Sequence, residues 1–146
     1  MINNIIITPL KIIPDNRGKV MHMFRNDSKV YNGFGEIYFS TIFYNYIKAW
    51  HLHKEATSNY ACISGKVKLV MYDDRNNSIT KGEYQELILS PENYFLVTIP
   101  KNIWKGFKGI QKGESIIANC ITLPHNEKEM VRREFTDKYF NYSWKN

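Results

Sequence analysis

Short runs of alternating apolar and polar residues dominate the chain. IIITPLKII, KVMHMF, GEIYFSTIFYN, SNYACIS, KVKLVMYD, YQELILS, YFLVTIP and SIIANCITL are rich in the β-branched and aromatic residues that suit a pleated, half-buried surface. Turn formers separate them: PDNRG, NDSKVYNG, DDRNNS, SPEN, PKN and GIQKG. Roughly eight strands at this spacing predict an all-β sandwich or closed barrel. Gly65, between SNYACIS and KVKLVMYD, is expected to make a tight hairpin turn. On GEIYFSTIFYN, Tyr38, Ser40 and Ile42 alternate with Phe39, Thr41 and Phe43, so one set faces inward. The pattern does not say which.

The alternation breaks at PHNEKEMVRREFTDKYFNYSWKN. NEKEMVRREF is expected to form a short helix, with Asn126 as its cap and acidic residues in its first turn. The aromatics that follow, Tyr139, Phe140, Tyr142 and Trp144, are expected to pack back onto the barrel or across a subunit boundary. No repeat, low-complexity stretch or linker interrupts the chain, and residues 1–146 are expected to form a single domain.

Composition adds exclusions. No apolar run approaches the ~18 residues of a membrane span, and the N-terminus lacks a signal-peptide pattern, so a cytoplasmic protein is expected. Cys62 and Cys120 sit in apolar segments and read as small buried hydrophobes rather than a disulfide. The net charge is +6, but the lysines are dispersed. That favours a solvated basic surface, then an anionic small ligand, ahead of nucleic acid.

The candidate chemistry is concentrated in KAWHLHKEATSNYACISG, residues 48–65. Residues i and i+2 of a strand share a face, so His51 and His53 point the same way. In a barrel of the cupin type, such a pair begins a metal site completed by a glutamate and a third histidine. Here the glutamate slot holds Ser58, and Lys105 stands in the histidine slot of PKNIWK. A protonated lysine has no lone pair to offer a cation, so no metal is expected. Two histidines near a lysine suit proton transfer beside a carbonyl instead, where an enolate forms and needs stabilising.

Three stretches taken together, NRGKVMHMF, KAWHLHKEATSNYACISGKVKLVMYDDR and LSPENYFLVTIPKNIWKGF, resemble the dTDP-4-dehydrorhamnose 3,5-epimerases. HLHKE also resembles the His-Ala-His-Lys motif of the related dTDP-4-keto-6-deoxyglucose 3,4-ketoisomerases. The resemblance implies a double-stranded β-helix (a cupin, or jelly-roll barrel) that is a homodimer, uses no metal or cofactor, and moves protons on a 4-keto sugar nucleotide for surface polysaccharides. It implies His53 as the base, His51 as a proton relay or donor, and Lys105 with Lys48 stabilising the enolate or the diphosphate. Arg17 falls on an arginine associated with nucleotide binding. Trp50, Lys54, Arg75 and Asn119 complete the expected substrate-binding set. Arg75 also reads as part of a polar DDR turn, Trp50 and Trp104 as packing residues, and Asp137 as either a histidine-orienting residue or a cap.

Three positions depart from the epimerase pattern. Ser58 replaces a lysine, Lys105 replaces a histidine, and Ala118 or Asn119 stands where a tyrosine acid is expected. The proton donor is therefore expected to be His51 or a tyrosine elsewhere. Ketoisomerisation and sugar-nucleotide binding without catalysis are the alternatives.

Overall fold

The alternating runs fold as twelve strands among residues 1–145, which a computed structural model describes. In chain order they are β1 (Ile6–Pro9), β2 (Ile12–Asp15), β3 (Gly18–Met21), β4 (Glu36–Phe43), β5 (Ile47–His53) and β6 (Ser58–Ser64). Then come β7 (Val67–Asp73), β8 (Tyr84–Leu89), β9 (Phe95–Ile99), β10 (Ile103–Gly109), β11 (Glu114–Ile121) and β12 (Met130–Arg132). Two five-stranded antiparallel sheets result, in the orders β1-β9-β6-β11-β4 and β12-β5-β10-β7-β8. The expected jelly-roll barrel is therefore the observed architecture.

Side chains alternating inward from both sheets form the barrel core, among them Ile42, Tyr60, Leu69, Met71, Ile99 and Phe107. On β4 the inward set is Tyr38, Ser40 and Ile42, while Phe39 and Phe43 are 60% and 61% exposed on the outer face. IIITPLKII divides into β1, which pairs with β9, and β2, which forms a separate hairpin with β3. Gly65 makes a tight turn at φ +76°, where an added Cβ would lie 2.2 Å from Ser115 Oγ. It does not close a hairpin, because β6 and β7 belong to opposite sheets.

The C-terminal segment corrects an expectation. Asn126 does cap, its side chain accepting from the Lys128 N–H, but the cap opens only a 3₁₀ turn, Glu127–Glu129. NEKEMVRREF then becomes β12 instead of continuing as a helix, with Met130, Val131 and Arg132 opposite His53, Leu52 and His51. Without β12, β5 would be an edge strand with unpaired backbone groups. Satisfying those groups outweighs the weak local helix preference of this segment.

Beyond β12 the tail turns back over the outer face of the second sheet. Phe140 stacks on Trp50 with ring centroids 4.4 Å apart, and Trp144 lies 5.1 Å from the same ring. This second apolar layer includes Val70 and Trp104. Cys62 and Cys120 are buried and free. Among the described residues, no helix is long and apolar enough to cross a membrane.

Candidate active site

A cavity of about 1050 Å³ opens at one end of the barrel, between the inner faces of β4 and β5 and the segment running from β11 to β12. Strand β5 supplies its floor. Along β5, Lys48 lies opposite Phe107 and His51 opposite Lys105, with Ala49 and Trp50 between them set against Gly106 alone, so the ladder bulges there. The extra residue returns Lys48 to the face that holds His51 and His53, and all three line the cavity. Trp50 and Leu52 pack on the opposite, outer face.

His53 is 3% exposed, and its Nδ1 is hydrogen-bonded to the carboxylate of Glu129 at the end of the 3₁₀ turn. The same carboxylate lies 3.2 Å from the Glu55 N–H and 3.3 Å from the Ala56 N–H. Burial pushes the Glu129 carboxyl up, but the bonds from His53 and these amides outweigh it, so its pKa is lowered. An ionised carboxylate only accepts, so Nδ1 carries the proton and Nε2 keeps its lone pair. Among the described residues that Nε2 has no hydrogen-bond partner. Burial and the nearby Lys105 charge lower the His53 pKa, against the opposing pull of Glu129. The result is a neutral imidazole, oriented from behind, whose Nε2 is buried and unpartnered among the described residues at a side chain that lines the cavity.

His51 lies 6.0 Å from His53, ring to ring, and its Nε2 is 3.2 Å from the Tyr60 hydroxyl. Burial holds its pKa well below the usual imidazole value, with Lys105, His53 and Arg132 adding repulsion. Burial also keeps the Tyr60 phenol protonated. Tyr38 stands near Tyr60 on the same sheet, opposite β5, half-buried at the cavity wall. Its hydroxyl accepts from Asn119 Nδ2 at 2.9 Å.

The expected substrate-binding residues divide. Asn119 is fully buried and does not line the cavity; it holds Tyr38, its register partner across β4 and β11. Lys48 is at the wall, its amine 3.4 Å from Ser40 Oγ. Trp50 reaches the rim, but it is 1% exposed and sandwiched in the tail aromatics, so it is unavailable to stack on a base or sugar. Trp104 belongs to the same packed layer. Lys54 is exposed and outside the cavity. Arg17 sits at the β2–β3 turn, paired with Asp15 at 2.8 Å and outside the single chain's cavity. Arg75 is held by the buried Asp73 carboxylate at 2.8 and 2.9 Å, which makes DDR a structural turn. Lys105 is wholly buried beside His51, its register partner across β5 and β10, and does not line the cavity. Asp137 caps the Lys138–Phe140 turn and pairs with Arg133; the histidine-orienting carboxylate is Glu129.

Glu129, Tyr38 and Tyr60 were not singled out by sequence reasoning. Glu129 was hidden inside a segment expected to be helical. Tyr38 carried a usable signal, since Glu36, Tyr38 and Ser40 make one face of β4 polar while Ile37, Phe39 and Phe43 make the other apolar. No group of three or more His, Cys, Asp or Glu among the described residues could hold a metal.

Comparison with known proteins agrees with this geometry. The family model described as dTDP-4-dehydrorhamnose 3,5-epimerase matches residues 1–146. The chain is 31% identical over 123 residues to the probable low-salt glycan biosynthesis epimerase Agl13 of Haloferax volcanii, covering 83% of this chain and 79% of that one. It is 26% identical over 146 residues to the spore coat polysaccharide biosynthesis protein SpsL of Bacillus subtilis, covering 99% and 97%. A crystal structure of a dTDP sugar isomerase from Desulfovibrio desulfuricans superimposes with a TM-score of 0.95 at 35% identity, covering 98% of this chain and 92% of that one.

Proposed function

Because this chain belongs to the dTDP-4-dehydrorhamnose 3,5-epimerase family, a family of isomerases, we propose that it epimerises a dTDP-4-keto-6-deoxyhexose by proton transfer beside the C4 ketone. The observation that carries the proposal is the Glu129–His53 pair, with its unpartnered Nε2, in a cavity that also presents the Tyr38 phenol from the opposite sheet.

In this reading His53 Nε2 takes the proton from the carbon next to the ketone. The C–H electrons move into the C–C bond and the carbonyl becomes an enolate. Glu129 stabilises the imidazolium that forms. The Tyr38 phenol then delivers a proton to the other face of the same carbon, which inverts it, and the two side chains re-equilibrate through solvent. Lys48 supplies positive charge at the wall for the enolate oxygen or the diphosphate. The relatives from Haloferax volcanii and Bacillus subtilis, named for glycan and spore-coat polysaccharide biosynthesis, support a role in surface polysaccharides. The two free thiols fit a reducing cytoplasm.

A second reading is 3,4-ketoisomerisation. It is favoured by one observation: His51 and His53 share a strand face, so a proton removed at C3 and one returned at C4 could be handled from the same side. Incubation with dTDP-4-keto-6-deoxyglucose in D₂O separates the two. Deuterium at C3 or C5 with the ketone retained at C4 supports epimerisation, and a 3-keto product supports the second reading. Binding without exchange sinks both.

The same family reading includes a homodimer. It is supported by the outer face of the edge strand β4, where Ile37, Phe39 and Phe43 are 48%, 60% and 61% exposed.

A further inference from the structure

Lys105 is the one fully buried lysine at 0% exposure among the described residues, and its Nζ has no hydrogen-bond partner there. Its strand fixes where it points. Ile103 and Phe107 alternate with it and both belong to the barrel core. Its register partners are His51 on β5 and Met71 on β7. The side chain is therefore enclosed inside the barrel beside His51, on the same sheet face, and Lys105 is not among the residues that line the cavity.

A buried charged amine without a partner is costly to keep and is pushed toward its neutral form. The groups facing it and the pair are few. His51 and His53 come from β5, Glu129 from the 3₁₀ turn, Arg132 from β12, Tyr60 from β6 and His125 from the loop before the turn, while β7 presents the uncharged Met71. Glu129 is the acid among them, and it is already engaged by His53 and two amides.

We propose that Lys105 is a positioning residue acting through the histidines: its ammonium, lodged beside them, opposes protonation of His53 and His51, keeping the base empty and making the imidazolium quick to release its proton. This deepens the epimerase reading but does not need it, because the effect belongs to the free protein. Burial brings Lys105 down to about 7, and both histidines are held below the usual imidazole value, so on acidification the amine takes up its proton ahead of them.

The test is an NMR titration of the histidine rings without substrate, in wild type, Lys105→Met and Lys105→Arg. Removing the charge should raise the His53 and His51 midpoints by about one pH unit or more, and the arginine should restore them. Wild-type histidine signals should also show a second inflection as Lys105 loses its proton, a measurement that requires no variant to fold. Unmoved midpoints in folded Lys105→Met, or no second inflection in wild type, overturn the proposal. With a keto-sugar nucleotide, the acid limb of kcat/KM should move up with the midpoints in Lys105→Met. Shifted midpoints without any turnover would leave the Lys105 inference standing and sink the epimerase reading.

Discussion

His53 and Glu129, 76 positions apart in the chain, are hydrogen-bonded through Nδ1 and a carboxylate oxygen, and the histidine's other nitrogen is left unpartnered. The pair exists because β12 zips onto the free edge of β5 and carries the preceding turn with it. The acid–base function proposed for β5 thus depends on a segment far along the sequence.

Glu129→Gln should leave the barrel folded and lower turnover by roughly 10²–10⁴-fold, as expected when a histidine base loses the carboxylate that sets its tautomer. His53→Asn should lower it at least as far. Deuterium wash-in from D₂O, followed by NMR of the sugar, is the measurement. Full exchange in His53→Asn would remove His53 from the base role.

Tyr38→Phe should split the reaction. Abstraction by His53 survives, so deuterium still enters at the α carbon, while the inverted product falls by about 10²-fold or more. Asn119→Ala, which removes the 2.9 Å bond to the phenol and also the 3.0 Å bond that the Asn59 N–H donates to Asn119 Oδ1, should cost on the order of tenfold in inversion and lower stability as well. Equal loss of exchange and inversion in Tyr38→Phe would assign that phenol to binding.

Lys105→Met should stabilise the protein by roughly 1–4 kcal/mol near pH 6, judged by urea or thermal unfolding. The sign follows from linkage. A lysine that titrates near 7 when folded and near 10.5 when unfolded opposes folding fully below pH 7, and the opposition fades as pH rises to about 10.5. The gain from the substitution should therefore shrink over that window; a gain independent of pH would point to packing alone.

Light scattering should give the wild type a mass of twice 17.3 kDa. Phe39→Glu should move it to the single-chain value, because a charge on the apolar face of β4 opposes pairing with a second copy. A wild-type monomer would refute the dimer.

The strands were legible because period-two alternation and turn residues are local signals, and the inward face of β5 followed from spacing alone. What was lost came from pairing. The segment 126–135 looked helical because its caps and acids are local, whereas the unpaired edge of β5 that captures it lies elsewhere in the chain. Tyr38 was missed for a related reason: the epimerase pattern sought a phenol on β11, where this chain has Asn119, and only register reveals that Tyr38 stands directly opposite it. Arg75 and Lys54 drew attention by charge, but a charged residue next to a buried aspartate, or at a strand end in solvent, has other uses.

Trp50 lies between His51 on one side of β5 and the tail aromatics on the other. The backbone of Trp50 is bonded in both directions to Arg133, 2.7 Å to its carbonyl and 2.9 Å from its amide. The outer aromatic layer therefore packs against the strand whose inner face carries His51 and His53, at the residue that ties β5 to the end of β12. A change on the outside of the sheet, for example at Phe140, is therefore expected to be felt at the Glu129–His53 pair on the inside, through Trp50 and the β5–β12 ladder.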